Sequence, residues 1–215
     1  MDVAVIADIV GSRALPDRSA AQRVFEDAVE RAERDLPVAL EPLRPTAGDE
    51  LQGRYASLDA ALAAILLIQL GLPDGHELRF GIGIGEIRPV DSDGAPLQDG
   101  PGWWAARAAI DAVHARQQRA VPSSRSGIVA GQGEDDAMRT LVDLADAYLL
   151  ARDEIVTRMS ERERRLTRGR CLQRTQSALA AAEGISQSAV SQALQSAGAG
   201  SVVAGYARLV KGIAA

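Results

Sequence analysis

This sequence predicts an α+β domain followed by an all-helical one, on three observations. Over the first 130 residues, short apolar and β-branched runs alternate with helical periodicity in the order β, α, β, β, α, β. One of those strands, Leu78 to Ile87 (LRFGIGIGEI), alternates Phe80, Ile82 and Ile84 with glycines, the pattern of a strand closely approached by another backbone, a side chain or a ligand. From Glu134 onward strand signals stop and helical spacing remains.

Each element has its own reason. Val3 to Ile6 form an opening strand that emerges at Asp8 and the turn-prone Gly11 and Ser12. Ser19 begins a helix with Val24, Phe25, Ala28, Val29, Ala32 and Leu36 at near-helical spacing, and Pro37 ends it. Leu40 to Thr46 and Leu51 to Tyr55 are short strands flanking a bend at Gly48, Asp49 and Glu50, with Pro42 and Pro45 suited to an edge. Ser57 caps an apolar helix to Leu70, with Leu58, Leu62, Ile65, Leu66 and Gln69 on or near one face. Pro73 to Gly75 turn the chain into the glycine-bearing strand. A loop rich in Asp, Gly and Pro, Pro89 to Gly102, leads to a helix from Trp103 to Gln118, and Gly127 to Ala130 is one more short strand. This order is the split βαβ arrangement of ferredoxin-like folds, an antiparallel sheet with helices on one face. Residues 1–133 make that domain. Residues 134–215 make the helical one, with helices at Leu141 to Ile155, Ser160 to Leu172 and Ser201 to Ile213, and polar residues 131–136 joining the two.

Composition narrows the class. At 215 residues and 47% apolar, the chain has enough material for a real core. No basic leader and no bilayer-length apolar run occurs, so a cytoplasmic protein without membrane contact is expected. A single cysteine, Cys171, excludes an intramolecular disulfide and a cysteine-based zinc site, and is read as a reduced, partly buried filler. The net charge of −5 is unevenly spread: residues 1–130 hold 13 basic against 19 acidic residues, whereas residues 158–215 hold 9 against 3. The tail is therefore the half suited to an anionic partner.

Within that tail, about 160–198, the spacing is that of a helix-turn-helix. A short helix with Leu179 inward ends at Gly184, Ile185 plugs the corner, and Ser186 caps a second helix whose Val190, Ala193 and Leu194 point to the core. Ser186, Gln187, Ser188, Ser191, Gln192 and Gln195 are then the outward residues, which suit base edges and phosphates of DNA. The preceding arginines, Arg162, Arg164, Arg165, Arg168, Arg170 and Arg174, are candidate phosphate contacts. The bland alternative is a helical bundle with a solvated polar face. The tail also resembles the DNA-binding modules of sigma factors and response regulators.

At the other end, Asp8 and Asp49 sit at the ends of neighbouring strands, where two carboxylates suit a divalent cation carrying phosphate. ADIVGSR, GDELQGRY, LRFGIGIGEI and GPGWWAARAAI resemble, in turn, the opening strand, acidic hairpin, glycine-rich strand and following helix of class III nucleotide cyclase domains. Taken with the helix-turn-helix, the set resembles the SatD family over most of the chain. The cyclase resemblance implies that Asp8 and Asp49 hold Mg²⁺ or Mn²⁺, that the amides of Ile9, Val10, Gly11 and Ser12 cradle phosphates, and that Arg107 contacts the reacting phosphate. It also implies a homodimer, since cyclase sites form at a two-fold interface.

The pattern is incomplete. Trp103 stands where an asparagine is expected, and Pro45, next to Arg44, stands where a base-reading lysine is expected. Losing preorganised donors costs orders of magnitude in rate. The leading expectation is therefore a DNA-binding transcriptional regulator whose degenerate cyclase-like domain senses a nucleotide or metal, or dimerises. The alternative is a divergent metal-dependent nucleotide cyclase or nucleotidyl transferase.

Overall fold

Along the chain the elements run β1 (Val3–Ile9), α1 (Arg18–Asp35), β2 (Ala39–Pro45), β3 (Glu50–Tyr55), α2 (Leu58–Gly71), β4 (Leu78–Ile84), β5 (Arg88–Val90), β6 (Leu97–Asp99), α3 (Pro101–Gln117) and β7 (Ser126–Ala130). Five further helices follow: α4 (Asp136–Thr157), α5 (Glu161–Cys171), α6 (Gln176–Glu183), α7 (Gln187–Ser196) and α8 (Ala199–Ile213). The structure is a computed structural model describing residues 2–12, 17–46, 49–90 and 97–214. Gly48 and residues 91–96 of the predicted loop lie outside the described residues.

Mixed α and β structure is as expected. Five strands form one sheet ordered β2-β3-β1-β4-β7. β1 pairs antiparallel with both β3 and β4, and β2 pairs antiparallel with β3. The pairing of β4 with β7 is parallel, so the sheet is mixed rather than purely antiparallel. A parallel pair needs a crossover, and α3 supplies it. The predicted strand to Ile87 ends at Ile84, and part of the predicted loop forms a small hairpin of β5 and β6.

The helices do not all lie on one face. Alternate residues of β1 separate them: Val3, Val5, Ala7 and Ile9 join the core built with α1 and α2, while Ala4 and Ile6 pack with Ala106 and Ile110 of α3. The glycines of β4 explain the second layer. A Cβ at Gly81 would lie 2.3 Å from the Ala106 carbonyl oxygen, and one at Gly83 would lie 2.0 Å from that of Gly102. Only glycine lets α3 rest directly on the strand backbone, which is the close approach that the alternating pattern signals.

The helix α2 also departs from its predicted single apolar face. Its N-cap is as predicted, Ser57 Oγ accepting from the Ala60 amide at 3.2 Å, but every residue from Ala60 to Leu70 is buried. The sheet, α1, α5 and α8 all pack against it. A helix apolar all round must be covered all round. One hydrophobic cluster accordingly runs from β1 through α2 to Leu166, Leu179, Val190, Val202 and Tyr206.

A polar lock fastens α4 to β7. The fully buried Asp153 accepts from the main-chain amides of Arg125 at 2.7 Å and Ser126 at 2.5 Å, and from Arg152 Nη2 at 2.9 Å. Gln69 of α2 donates to the same carboxylate at 3.3 Å. Beyond it, α6 ends at Gly184 with φ of 66°, and Ser186 caps α7 by accepting from the Ala189 amide at 3.1 Å.

Candidate functional site

The carboxyl end of β1, the turn after it and the start of β3 enclose the candidate site. Asp8, Ile9, Val10, Gly11, Ser12 and Asp49 all line one cavity of about 880 Å³. The two predicted carboxylates and the predicted phosphate loop are thus brought together. Gly11 has φ of 69°, a left-handed conformation that turns the chain and favours glycine. A neighbouring cavity of about 480 Å³ shares Ile9, Ser12, Arg18 and Asp49, and Pro45 also lines it.

The two ends of the site differ in electrostatic character. In the first turn of the 18-residue α1, Arg18 lines both cavities and Ser19 the smaller one, and the Asp17 carboxylate caps that helix end by accepting from the Ala20 amide at 2.9 Å. At the opposite end stand His114, Gln117 and Gln118 from the carboxyl-terminal turn of α3. That negative end faces the guanidinium of Arg79.

Arg79 is the residue that sequence reasoning missed. Strand register places it opposite Asp8, and its Nε and Nη2 donate to Asp8 Oδ1 and Oδ2 at 2.8 and 3.0 Å. Nη1 donates to Gln117 Oε1 at 3.0 Å. A bidentate guanidinium–carboxylate pair with the arginine 7% exposed is a strong and directional contact. The available signal was an arginine inside an otherwise apolar strand.

This geometry opposes Asp8 as a metal ligand, because both of its oxygens already accept from a cation. Among the described residues, no group of three or more His, Cys, Asp or Glu is placed to hold an ion. With Asp8 shared with Arg79, Asp49 is the one carboxylate lining this cavity without a hydrogen-bond partner among the described residues, a donor set poor for two metal ions. Asp49 makes no hydrogen bond among the described residues and lines both cavities.

The other predicted phosphate groups are partly committed elsewhere. The Val10 amide donates to the Glu77 carbonyl at 3.0 Å, which takes it out of a phosphate cradle. Arg107 does not line the cavity with Asp8; its Nη2 donates to both oxygens of Glu50, at 2.7 and 2.6 Å. Trp103 packs against the small core between β1 and α3, and the half-exposed Trp104 donates from Nε1 to Asp99 at 2.7 Å.

In the helical half, Gln187, Ser188, Ser191, Gln192 and Gln195 are all exposed, as predicted, and the Ser186 and Ser188 hydroxyls lie 2.9 Å apart. The arginines are less available than predicted. Arg168 pairs with Asp35, Arg164 with Asp74 at 2.7 Å, and Arg165 with Glu183 at 2.9 Å. Arg162 lies 3.8 Å from the same Glu183. Arg170 donates to the Arg174 carbonyl, and these two make no ion pair among the described residues. The thiol of Cys171 is buried, which pushes its pKa up to about 12. Among the described residues, no helix is long and apolar enough to cross a membrane.

The SatD family model matches residues 2–204. No curated protein matches the sequence. Similar solved structures include a bacterial light-regulated adenylyl cyclase at 11% identity and TM-score 0.43, covering 58% of this chain and 73% of that one. An adenylate cyclase of Trypanosoma brucei matches at 16% identity and TM-score 0.38, covering 46% of this chain and 62% of that one. The guanylyl cyclase Cya2 matches at 14% identity and TM-score 0.35, covering 46% and 61%. The chain thus spans less than two thirds of the length of the last two.

Proposed function

The chain belongs to the SatD family, and from that premise we propose that it is a nucleotide-binding protein whose site is the cavity at the end of β1. The observation that carries this reading is the convergence of Asp8, Gly11, Ser12, Arg18 and Asp49 on one cavity at the amino-terminal end of α1. A left-handed turn at Gly11 beside the Ser12 hydroxyl and the Arg18 guanidinium favours phosphate oxygens. The frame is read as a split βαβ, cyclase-like one, because β2-β3-β1-β4 are antiparallel neighbours connected by α1 and α2. Residues 1–133 carry the site and residues 134–215 are the helical half.

The chemistry this reading assigns is that of a divergent nucleotide cyclase or nucleotidyl transferase with low turnover. Gly11, Ser12 and Arg18 hold the phosphates, and Asp49 is the carboxylate open to the ribose. Arg107 is tied to Glu50 and Trp103 supplies no amide, so two stabilising donors are missing and rate falls while binding persists. A homodimer is part of the proposal. The test is a thermal-shift titration with ATP and GTP on wild type, Asp49→Ala and Arg18→Ala, followed by product analysis. Stabilisation of the wild type that disappears in both variants supports the reading. Equal responses in all three remove it.

DNA binding through α7 is a second reading, favoured by the exposed polar row from Gln187 to Gln195 after a left-handed Gly184. It ranks lower because three of the six arginines meant to supply phosphate contacts, Arg164, Arg165 and Arg168, hold the fold together through carboxylates within 3 Å. A gel shift with random duplex at low salt decides it. Binding that Arg170→Ala and Arg174→Ala weaken and added salt abolishes supports DNA contact, and absence of any shift removes it.

A further inference from the structure

We propose that the phosphate cavity works without a divalent cation, its positive charge coming from Arg79 and Arg18; this rests on reading the cavity as a phosphate site. Two carboxylates alone, Asp8 and Asp49, would repel a phosphate and require metal between them and the ligand. The cavity also contains two guanidiniums, which cancel that charge. Arg79 is fixed in place rather than tethered loosely: it is nine-tenths buried, held at Nε and Nη2 by Asp8 and at Nη1 by Gln117. A guanidinium has five N–H bonds. Three are engaged here, and one each on Nη1 and Nη2 remains for a phosphate oxygen. Asp8 acts in this arrangement as a positioning residue for Arg79.

The pair has a second effect. While Arg79 is bound to both Asp8 oxygens, its positive charge opposes Mg²⁺ or Mn²⁺ at that carboxylate, so the same contact that supplies the cation disfavours the metal. Both consequences are readable in one experiment on the full chain. Binding of ATP, GTP and inorganic tripolyphosphate is measured by calorimetry in EDTA and in excess Mn²⁺. The expected wild-type result is binding in EDTA that Mn²⁺ does not strengthen. Arg18→Ala weakens EDTA binding about tenfold, the loss of one charge-assisted contact. Arg79→Met weakens it by a similar factor and creates a dependence on Mn²⁺, because Asp8 is uncovered. The double variant Asp8→Asn/Arg79→Met also binds more weakly than wild type in EDTA and is not rescued by Mn²⁺. It also leaves no buried lone charge, which covers the case in which Arg79→Met fails to fold. Wild-type binding that requires Mn²⁺, or EDTA binding unchanged in the arginine variants, overturns the proposal while leaving the phosphate site intact. No binding of any probe under any condition overturns the phosphate reading itself, and this proposal with it.

Discussion

Asp153→Ala should be among the most damaging single substitutions in the chain. The carboxylate is fully buried and receives two main-chain amides, Arg125 and Ser126, together with the guanidinium of Arg152, itself 2% exposed. Breaking a buried ion pair from one side costs about 3–5 kcal/mol, and each amide left without a partner adds about 1–3 kcal/mol before any water enters. The ring of Tyr148, 5.9 Å from the guanidinium, is weak compensation. Once water reaches the stranded amides the loss settles at the lower end of that sum, about 5 kcal/mol, a large part of the roughly 5–15 kcal/mol that stabilises a domain. Urea denaturation followed by circular dichroism reads it. With a slope of about 2.5 kcal/mol/M the midpoint falls by about 2 M. Asp153→Asn, which keeps the shape and one acceptor, should lose about 3 kcal/mol, and adding Arg152→Met to it should recover about 1–2 kcal/mol by removing the stranded charge. A change under about 1 kcal/mol for Asp153→Ala would refute the argument that this lock joins α4 to the sheet.

Three other outcomes are expected. Gly83→Ala sets a Cβ 2.0 Å from the Gly102 carbonyl oxygen and 2.3 Å from the Ala106 amide nitrogen; neither backbone atom can swing away, so calorimetry should show a loss of about 3 kcal/mol. The thiol of Cys171, buried and raised to about 12, should resist Ellman's reagent at mildly alkaline pH and react only when urea exposes it. Arg165 holds the Glu183 carboxyl below its ordinary value of 4.5, so the pair contributes in full above that pH and less as acid protonates Glu183. Glu183→Gln should therefore cost about 0.5–1 kcal/mol at neutral pH, and that cost should vanish well below pH 4.5 in parallel melts.

Periodicity made the order of elements legible, since spacing of two or of three to four residues is written in neighbouring positions. Ser57, Gly184 and Ser186 announced helix ends for the same local reason. What neighbours cannot show is the other side of an element. Leu62, Ile65 and Leu66 revealed an apolar face of α2, but Ala63, Ile68 and Leu70 are just as buried, because α2 also packs against α1 and against α5 and α8, about a hundred residues later. Arg164 and Arg168 of α5 read as free cations because their partners Asp74 and Asp35 lie roughly ninety to 130 residues upstream. The candidate site was half legible. Asp8, Asp49, Gly11 and Ser12 meet as expected, yet the bidentate contact that changes their chemistry depends on the β1–β4 register, which places Arg79 across from Asp8.

The burial of α2 on every side has a consequence for how the protein is made. The helix is made before its cover: α5 and α8 are synthesised about 90 to 140 residues after it ends. At about 5–20 residues per second, a strip of leucine and isoleucine waits on the order of ten seconds for its cover. The nascent chain is therefore sticky over an interval set by translation speed, and slowing of synthesis between α2 and α5 lengthens its exposure to aggregation or to chaperone capture.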